Sequence, residues 1–359
     1  MALVPKYIRN LSPYIPGMTI NEVKRKFALT NIIKLASNEN PLGPSPKAIE
    51  YVIENLDKTH RYPDSYAFKL RNKLASIYDL KIDNVILGGG SEGIMSVIMR
   101  TFLHDDDEIV ATQNSFIGFR VLANASGIKT NWVPMKDYHY DLDALATKIN
   151  NKTKIIYLAN PDNPTGTYFH KSMFDNFMEL VPDRVLVILD EAYFEYVQHL
   201  DGFPNSMLYR YDNVITLRTF SKAYGLAGFR IGYGFGHKEL IDSLMKVKLP
   251  FEPSSVAQLA AFASLNDHDF LSETIKNNAS GMQKLLNSLK NYNTISSVTN
   301  FITIIFDTNN ESHEFTDFML SNGIIVRNLK GFGLENCVRV SIGTNEENEF
   351  FSNVLDKIK

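Results

Sequence analysis

RVLVILDEAY at residues 184–193 and NVITLRTFSKAYGLAGFRIG at 213–232 decide how the chain is read. Each opens with a short run rich in Val, Ile and Leu and bounded by polar residues, the mark of a strand buried in a sheet. Working outward, the same texture recurs in KIIYLANP at 154–161, DEIVATQ at 107–113 and NVILGGG at 84–90. Helical stretches separate these runs, one of them around 116–126. Such alternation predicts parallel strands joined by crossover helices, hence an α/β domain with a mainly parallel central sheet and helices on both faces.

On the N-terminal side, residues 1–34 read as an arm broken by Pro5, Pro13, Pro16 and Gly17, with a short helix at 19–27. KLASNENPLGPSP at 34–46 is a loop, after which Ser45 caps and Pro46 opens a helix. The loop HRYPDS at 60–65 leads into another helix ending near Tyr78. On the C-terminal side, two long helical patterns (251–265 and 270–292) precede the strand FITIIFDT at 301–308 and a helix at 313–322. IIVRN at 324–328 and CVRVSIG at 337–343 read as two strands, and a last helix is capped by Thr344 with Glu347 as its capping-box partner. The expected division is an arm at 1–34 that packs with the small domain or a partner subunit, a large domain at 35–250, and a smaller α/β domain at 251–359.

A length of 359 residues suits two domains. With 37 Lys and Arg against 40 Asp and Glu, the formal net charge of -3 lacks the bulk basic balance of a nucleic-acid binder. A single cysteine, Cys337, excludes an internal disulfide and a cysteine-based metal site within one chain, and no metal is expected. VLVIL at 185–189 is far too short to span a membrane, and the first 17 residues carry charges and prolines where a signal peptide needs an unbroken apolar stretch. A cytoplasmic location is the expectation. The chain has 23 Phe and 17 Tyr, most of them for packing and a few available to a flat ligand.

Chemistry gathers at the strand ends. Lys222 follows an apolar strand and precedes a Gly- and Ala-rich loop. Most lysines simply face solvent, but ligand sites of open sheets lie at the carboxyl ends of strands, where an amine of lowered pKa can condense with an aldehyde. Ser221 and Arg230 both suit a phosphate. GGGSEG at 88–93 is a second phosphate cradle, with glycines for a tight turn and the free N–H groups of a helix N-terminus. Asp190 is either a loop-facing carboxylate or the partner of a protonated pyridine nitrogen, as pyridoxal phosphate (PLP) requires. Asn163, in NPDNPTG at 160–166, can donate to a ring hydroxyl or merely build a turn. Tyr193 can reach the same hydroxyl. Phe116 can stack on a ring, although most Phe at such a place would be core.

SNENPLGPSP at 37–46, NPDNPTG, DEAY at 190–193, SKAYGLAGFRIG at 221–232 and VRVSIG at 338–343, in this order, resemble the class I/II aminotransferases, PLP enzymes of fold type I. Within them the likeness is to the histidinol-phosphate aminotransferases, and it runs from YIPG at 14–17 to VRVSIG. The resemblance implies that Lys222 binds PLP covalently and moves the substrate's Cα proton, that Asp190 keeps the pyridine nitrogen protonated, and that Asn163 and Tyr193 bond the ring oxygen. It gives Phe116 the stacking position and assigns the phosphate to Ser91, Glu92 through its N–H, Thr219, Ser221 and Arg230. Tyr62 would reach the PLP phosphate bound in the neighbouring subunit, making a homodimer with shared sites. Arg339 would clamp the α-carboxylate of glutamate or 2-oxoglutarate near Asn38, Arg327 would take the distal anion, and Tyr14 would close over the substrate.

The implied reaction is transamination of histidinol phosphate with 2-oxoglutarate, run biosynthetically from glutamate and imidazole-acetol phosphate. Two departures from the family pattern stand out: Ser91 precedes Glu92 where an acidic pair is usual, and QNSFIGF at 113–119 lacks a proline and has Phe116 where relatives often carry Tyr. An aromatic aminotransferase for phenylalanine or tyrosine, a phosphothreonine decarboxylase and a non-enzymatic PLP-fold regulatory or structural dimer are the rival readings.

Overall fold

The structure, a computed structural model, describes residues 3–13, 15, 17–27, 29–205 and 211–358. Tyr14 lies outside the described residues. The strands, in chain order, are β1 (Ile33–Lys34), β2 (Val85–Gly88), β3 (Glu108–Thr112), β4 (Lys129–Val133), β5 (Thr153–Ala159), β6 (Leu186–Asp190), β7 (Val214–Thr219), β8 (Gly232–Phe235), β9 (Asn293–Ile295), β10 (Phe301–Ile305), β11 (Ile324–Ile325), β12 (Arg327–Asn328) and β13 (Cys337–Ser341).

Seven of them form the large sheet in the order β2-β8-β7-β6-β5-β3-β4. The apolar runs pair in parallel from β7 through β6, β5 and β3 to β4, as their composition predicts. β8 is the exception: it runs antiparallel to both β7 and β2. Its sequence, GYGF, reads as part of a glycine-rich loop because two of four residues have little strand propensity. Packing explains one of those glycines. A Cβ on Gly232 would lie 2.6 Å from the carbonyl carbon of Gly90 and the nitrogen of Ser91, so only a bare backbone fits against that turn.

Strand alternation divides the core between the two faces of the sheet. In β2, Ile86 packs with the helices Gly90–Phe102, Ile117–Ser126 and Lys171–Leu180. Val85 and Leu87 point the other way, to a cluster shared with the helices Phe68–Ile77 and Ser255–Ser264. Ser45 caps the helix Pro46–Ile53 by accepting from Ala48 N, and Thr344 and Glu347 form the predicted capping box of Asn345–Leu355.

The C-terminal strands form an antiparallel sheet in the order β12-β13-β10-β9. IIVRN divides between two sheets: β11 pairs in parallel with β1, and β12 pairs with β13. β1 thereby ties the chain just before the SNENPLGP loop to the C-terminal unit, and Val23 packs with Ala36 and Ile325 beside it. Cys337 is buried in β13, and burial pushes its thiol up to about 11. Among the described residues no helix is long and apolar enough to cross a membrane, and no cluster of His, Cys, Asp and Glu could hold a metal ion.

One buried ion pair braces the site from below. Arg218 of β7 and Glu191, the residue after β6, both have fully buried side chains, joined through Nε at 2.8 Å and Nη2 at 2.7 Å. The guanidinium also lies 3.3 Å over the Phe194 ring. Removing Arg218 leaves the Glu191 charge buried without its arginine. Arg218→Met is expected to cost about 3–5 kcal/mol of unfolding free energy in urea melts, and pairing it with Glu191→Leu to recover a large share. Additive losses in the double variant would show that the two charges do not depend on each other.

Candidate active site

A cavity of about 210 Å³ opens at the carboxyl ends of the strands. Each wall follows a strand end: Ser91 and Glu92 after β2, Phe116 after β3, Asn163 after β5, Asp190 and Tyr193 at and beyond β6, and Thr219, Ser221, Lys222 and Arg230 at and beyond β7. Ten of the eleven cofactor-side residues singled out in the sequence thus share one pocket, and Tyr62 is the one that does not. Parallel register explains how: Ala159 pairs with Asp190, and Asp190 with Leu217, so β5 and β6 end at one level and β7 runs two residues further to Thr219.

The opposite wall comes from the N-terminal loop and the C-terminal sheet. Asn38 adopts a left-handed backbone, φ 56°, and its Nδ2 donates to Tyr193 Oη at 2.9 Å. Its own N–H and Oδ1 bond Ser341 Oγ, each at 2.9 Å, and its carbonyl accepts from Asn300. Arg339, buried in β13, donates to Asn163 Oδ1 and to the Ala36 carbonyl at 2.8 Å. Arg327 is the cross-strand partner of Arg339, and its Nη2 donates to the Ile15 carbonyl at 3.3 Å. Tyr62 is outside the cavity, 80 % exposed and stacked on Phe251.

Three positions missed in the sequence hold the functional side chains. Tyr157 donates to Asp190 Oδ2 at 3.0 Å; it is the one polar-tipped residue in the apolar run IIYLA, which is the signal that could have found it. Ser341 and Asn300, the partners of Asn38, carry no local signal.

The electrostatics divide the cavity into three parts. Burial pushes the Asp190 carboxyl up to about 7, against hydrogen bonds from Tyr157 and Ala192 N–H that pull it down. A cation brought to it would hold it ionised. The Lys222 amine is pushed down to about 8, first by burial and then by the Arg339 guanidinium, and it donates to the Ser37 carbonyl at 3.3 Å. At the third part the helix Gly90–Phe102 begins without a side-chain cap, leaving first-turn N–H groups for an anion. Gly90 has φ 77°, and a Cβ there would lie 3.0 Å from Arg230 Nη2, so the glycine lets the guanidinium close on the turn.

This donor set fits PLP: hydroxyls, N–H groups and Arg230 for a phosphate, Asp190 for a cationic ring nitrogen, and a partly deprotonated lysine for an aldehyde. Fold and cavity together define a PLP-dependent aminotransferase of fold type I.

Residues 30–355 match the model of the family "Aminotransferase class I and II". The chain is 39% identical over 355 residues to histidinol-phosphate aminotransferase 1 of Nitrosococcus oceani, covering 98% of this chain and 95% of the relative. It is 40% identical over 359 residues to histidinol-phosphate aminotransferase 1 of Bacillus cereus, covering 99% and 96%. The crystal structure of histidinol-phosphate aminotransferase from Sinorhizobium meliloti in complex with pyridoxal-5'-phosphate superposes with a TM-score of 0.91 at 26% identity, covering 100% of this chain and 99% of that one. The chain belongs to the class I and II aminotransferases, in their histidinol-phosphate aminotransferase branch.

The lowered pKa of Lys222 has a kinetic signature. Only the free amine captures an aldehyde, so the rate at which cofactor-free protein takes up PLP should climb with pH and level off above about 8. In Arg339→Ala the midpoint should move up, since one of the charges that lowers it is gone. A rate that keeps rising toward the ordinary lysine value of 10.5 would show that the pocket does not tune this amine.

Proposed function

We propose that the protein transfers the amino group of glutamate to imidazole-acetol phosphate, giving 2-oxoglutarate and L-histidinol phosphate. The observation that carries this reading is the cross-strand pair Arg327 and Arg339, two cations side by side in the sheet that faces Lys222. Two cations on neighbouring strands suit a ligand that carries an anionic group toward each. Glutamate brings two carboxylates and histidinol phosphate one phosphate, so Arg339 takes the α-carboxylate near Asn38, and Arg327 takes the distal carboxylate or the phosphate.

PLP, when bound, supplies the aldehyde and the electron sink. Ser91, Thr219, Ser221, Arg230 and the Glu92 N–H hold its phosphate, and Phe116 lies against the ring. Asn38 donates to Tyr193 Oη, which leaves the phenol hydrogen to donate to the ring oxygen. Asn163 accepts from Arg339 through Oδ1, which leaves its amide N–H free to donate to the same oxygen. Asp190 faces the ring nitrogen as its counter-charge. The Lys222 amine, free in a useful fraction near neutral pH, accepts the Cα proton of the substrate.

The same reading makes the protein a homodimer in which Tyr62 reaches the neighbouring site. Ile53, Tyr66 and Phe68, close to Tyr62 in sequence, are each more than 60 % exposed, apolar area that a partner would cover. A single buried cysteine suits a reducing, cytoplasmic compartment.

Rates measured side by side with histidinol phosphate, phenylalanine and tyrosine, using 2-oxoglutarate as acceptor, test the substrate. Histidinol phosphate should be fastest, and a large preference for phenylalanine would replace this reading with an aromatic aminotransferase. In the single half-reaction with the amino donor, without 2-oxoglutarate, Arg327→Ala should weaken histidinol phosphate roughly 10- to 100-fold and leave phenylalanine, which has no distal anion, unchanged. Lys222→Ala should abolish transamination with each substrate while the protein still binds PLP.

A further inference from the structure

A chain of buried polar groups lies behind the cavity wall and serves none of the roles above. Asp162 is 0 % exposed. Its Oδ1 accepts from Ser115 Oγ at 2.6 Å, and its Oδ2 accepts from Thr165 N at 3.1 Å and Thr165 Oγ1 at 2.9 Å. Among the described residues it has no ion-pair partner. A buried carboxylate without a cation is costly, and a neutral residue of the same volume would serve packing at lower cost.

What the carboxylate adds is direction. Ionised, it only accepts, so every donor around it must point inward. Ser115 has one hydroxyl hydrogen and gives it to Asp162. Tyr140 Oη, 2.7 Å from Ser115 Oγ, must therefore donate to the serine. Tyr140 Oη in turn accepts from Ala159 N at 3.0 Å. The relay runs one way, from Ala159 N–H through Tyr140 and Ser115 to Asp162, and all four residues are buried. Its members adjoin the cavity wall at three places: Ala159 lines it, Ser115 precedes Phe116, and Asp162 precedes Asn163.

We propose that Asp162 is a positioning residue for PLP: through Ser115 and Tyr140 it fixes the spacing between Phe116 and Asn163, the two walls that hold the cofactor ring. The proposal rests on the reading of Phe116 and Asn163 given above. It also reaches the substrate side, because Asn163 accepts from Arg339.

The test uses the full-length protein, with the dissociation constant for PLP and the circular dichroism induced in the cofactor's visible band as readouts. The induced signal reports how the ring is held and does not depend on turnover. Asp162→Asn and Ser115→Ala should each weaken PLP binding on the order of tenfold and shrink the induced signal. The double variant should be little worse than either, since both break one relay. Ser115→Thr, which keeps the hydroxyl, should restore both readouts. Wild-type affinity and induced signal in folded Asp162→Asn would overturn the proposal. If that variant does not fold, wild-type values in Ser115→Ala and Tyr140→Phe would do so. Phe116→Ala and Asn163→Ala are measured in the same series. If these two weaken PLP while the relay variants do not, the proposal alone falls. If they too bind PLP normally, the site reading falls and takes the proposal with it.

Discussion

The in-register parallel pairing of β5, β6 and β7 is the constraint on which the site depends. Ala159, Asp190 and Leu217 occupy one level across three strands, and the loops that follow carry Asn163, Tyr193 and Lys222 to one side of the sheet. Side chains alternate along a strand, so a slip of one residue in β6 would turn Asp190 to the opposite face. The pairing is secured by burial on both faces: every residue of β6 and β7 is buried. Hydrophobic packing therefore fixes the spacing of the polar groups.

The second half of the site is brought by residues distant in sequence. Asn38 and Arg339 meet because β1 and β11 pair beside β13, which sets the N-terminal loop against the C-terminal sheet. Each of these side chains is oriented by partners at several atoms. Asn38 uses its amide, its carbonyl and both side-chain ends, and Arg339 bridges the Asn163 turn and the Ala36 carbonyl. The buried Arg218–Glu191 pair fastens β7 to the residue after Asp190. Rigid partners of this kind limit the freedom lost when a ligand binds.

Much of this was legible in the sequence for local reasons. Strands such as β5, β6 and β7 declare themselves by unbroken apolar runs, and Lys222, Asp190 and Asn163 stand at their ends. Caps such as Ser45 and Thr344 depend on neighbours three residues away. The parts that were not legible depend on distance. β8 is a strand only because β2 and β7 flank it, and its glycines argue locally for a loop. IIVRN reads as one strand, but its two halves find different partners. Ser341 bonds Asn38 across 303 residues, and Tyr193 bonds it across 155; no window of sequence contains such a pair.

Cys337 has a practical consequence. It is the one cysteine of the chain, it lies buried in β13, and its thiol is held far from the reactive thiolate form at neutral pH. The native molecule thus offers a quiet background to thiol reagents. A cysteine introduced at an exposed position such as Leu180 would react alone, so dyes, spin labels or cross-linkers can be attached without first removing a native residue.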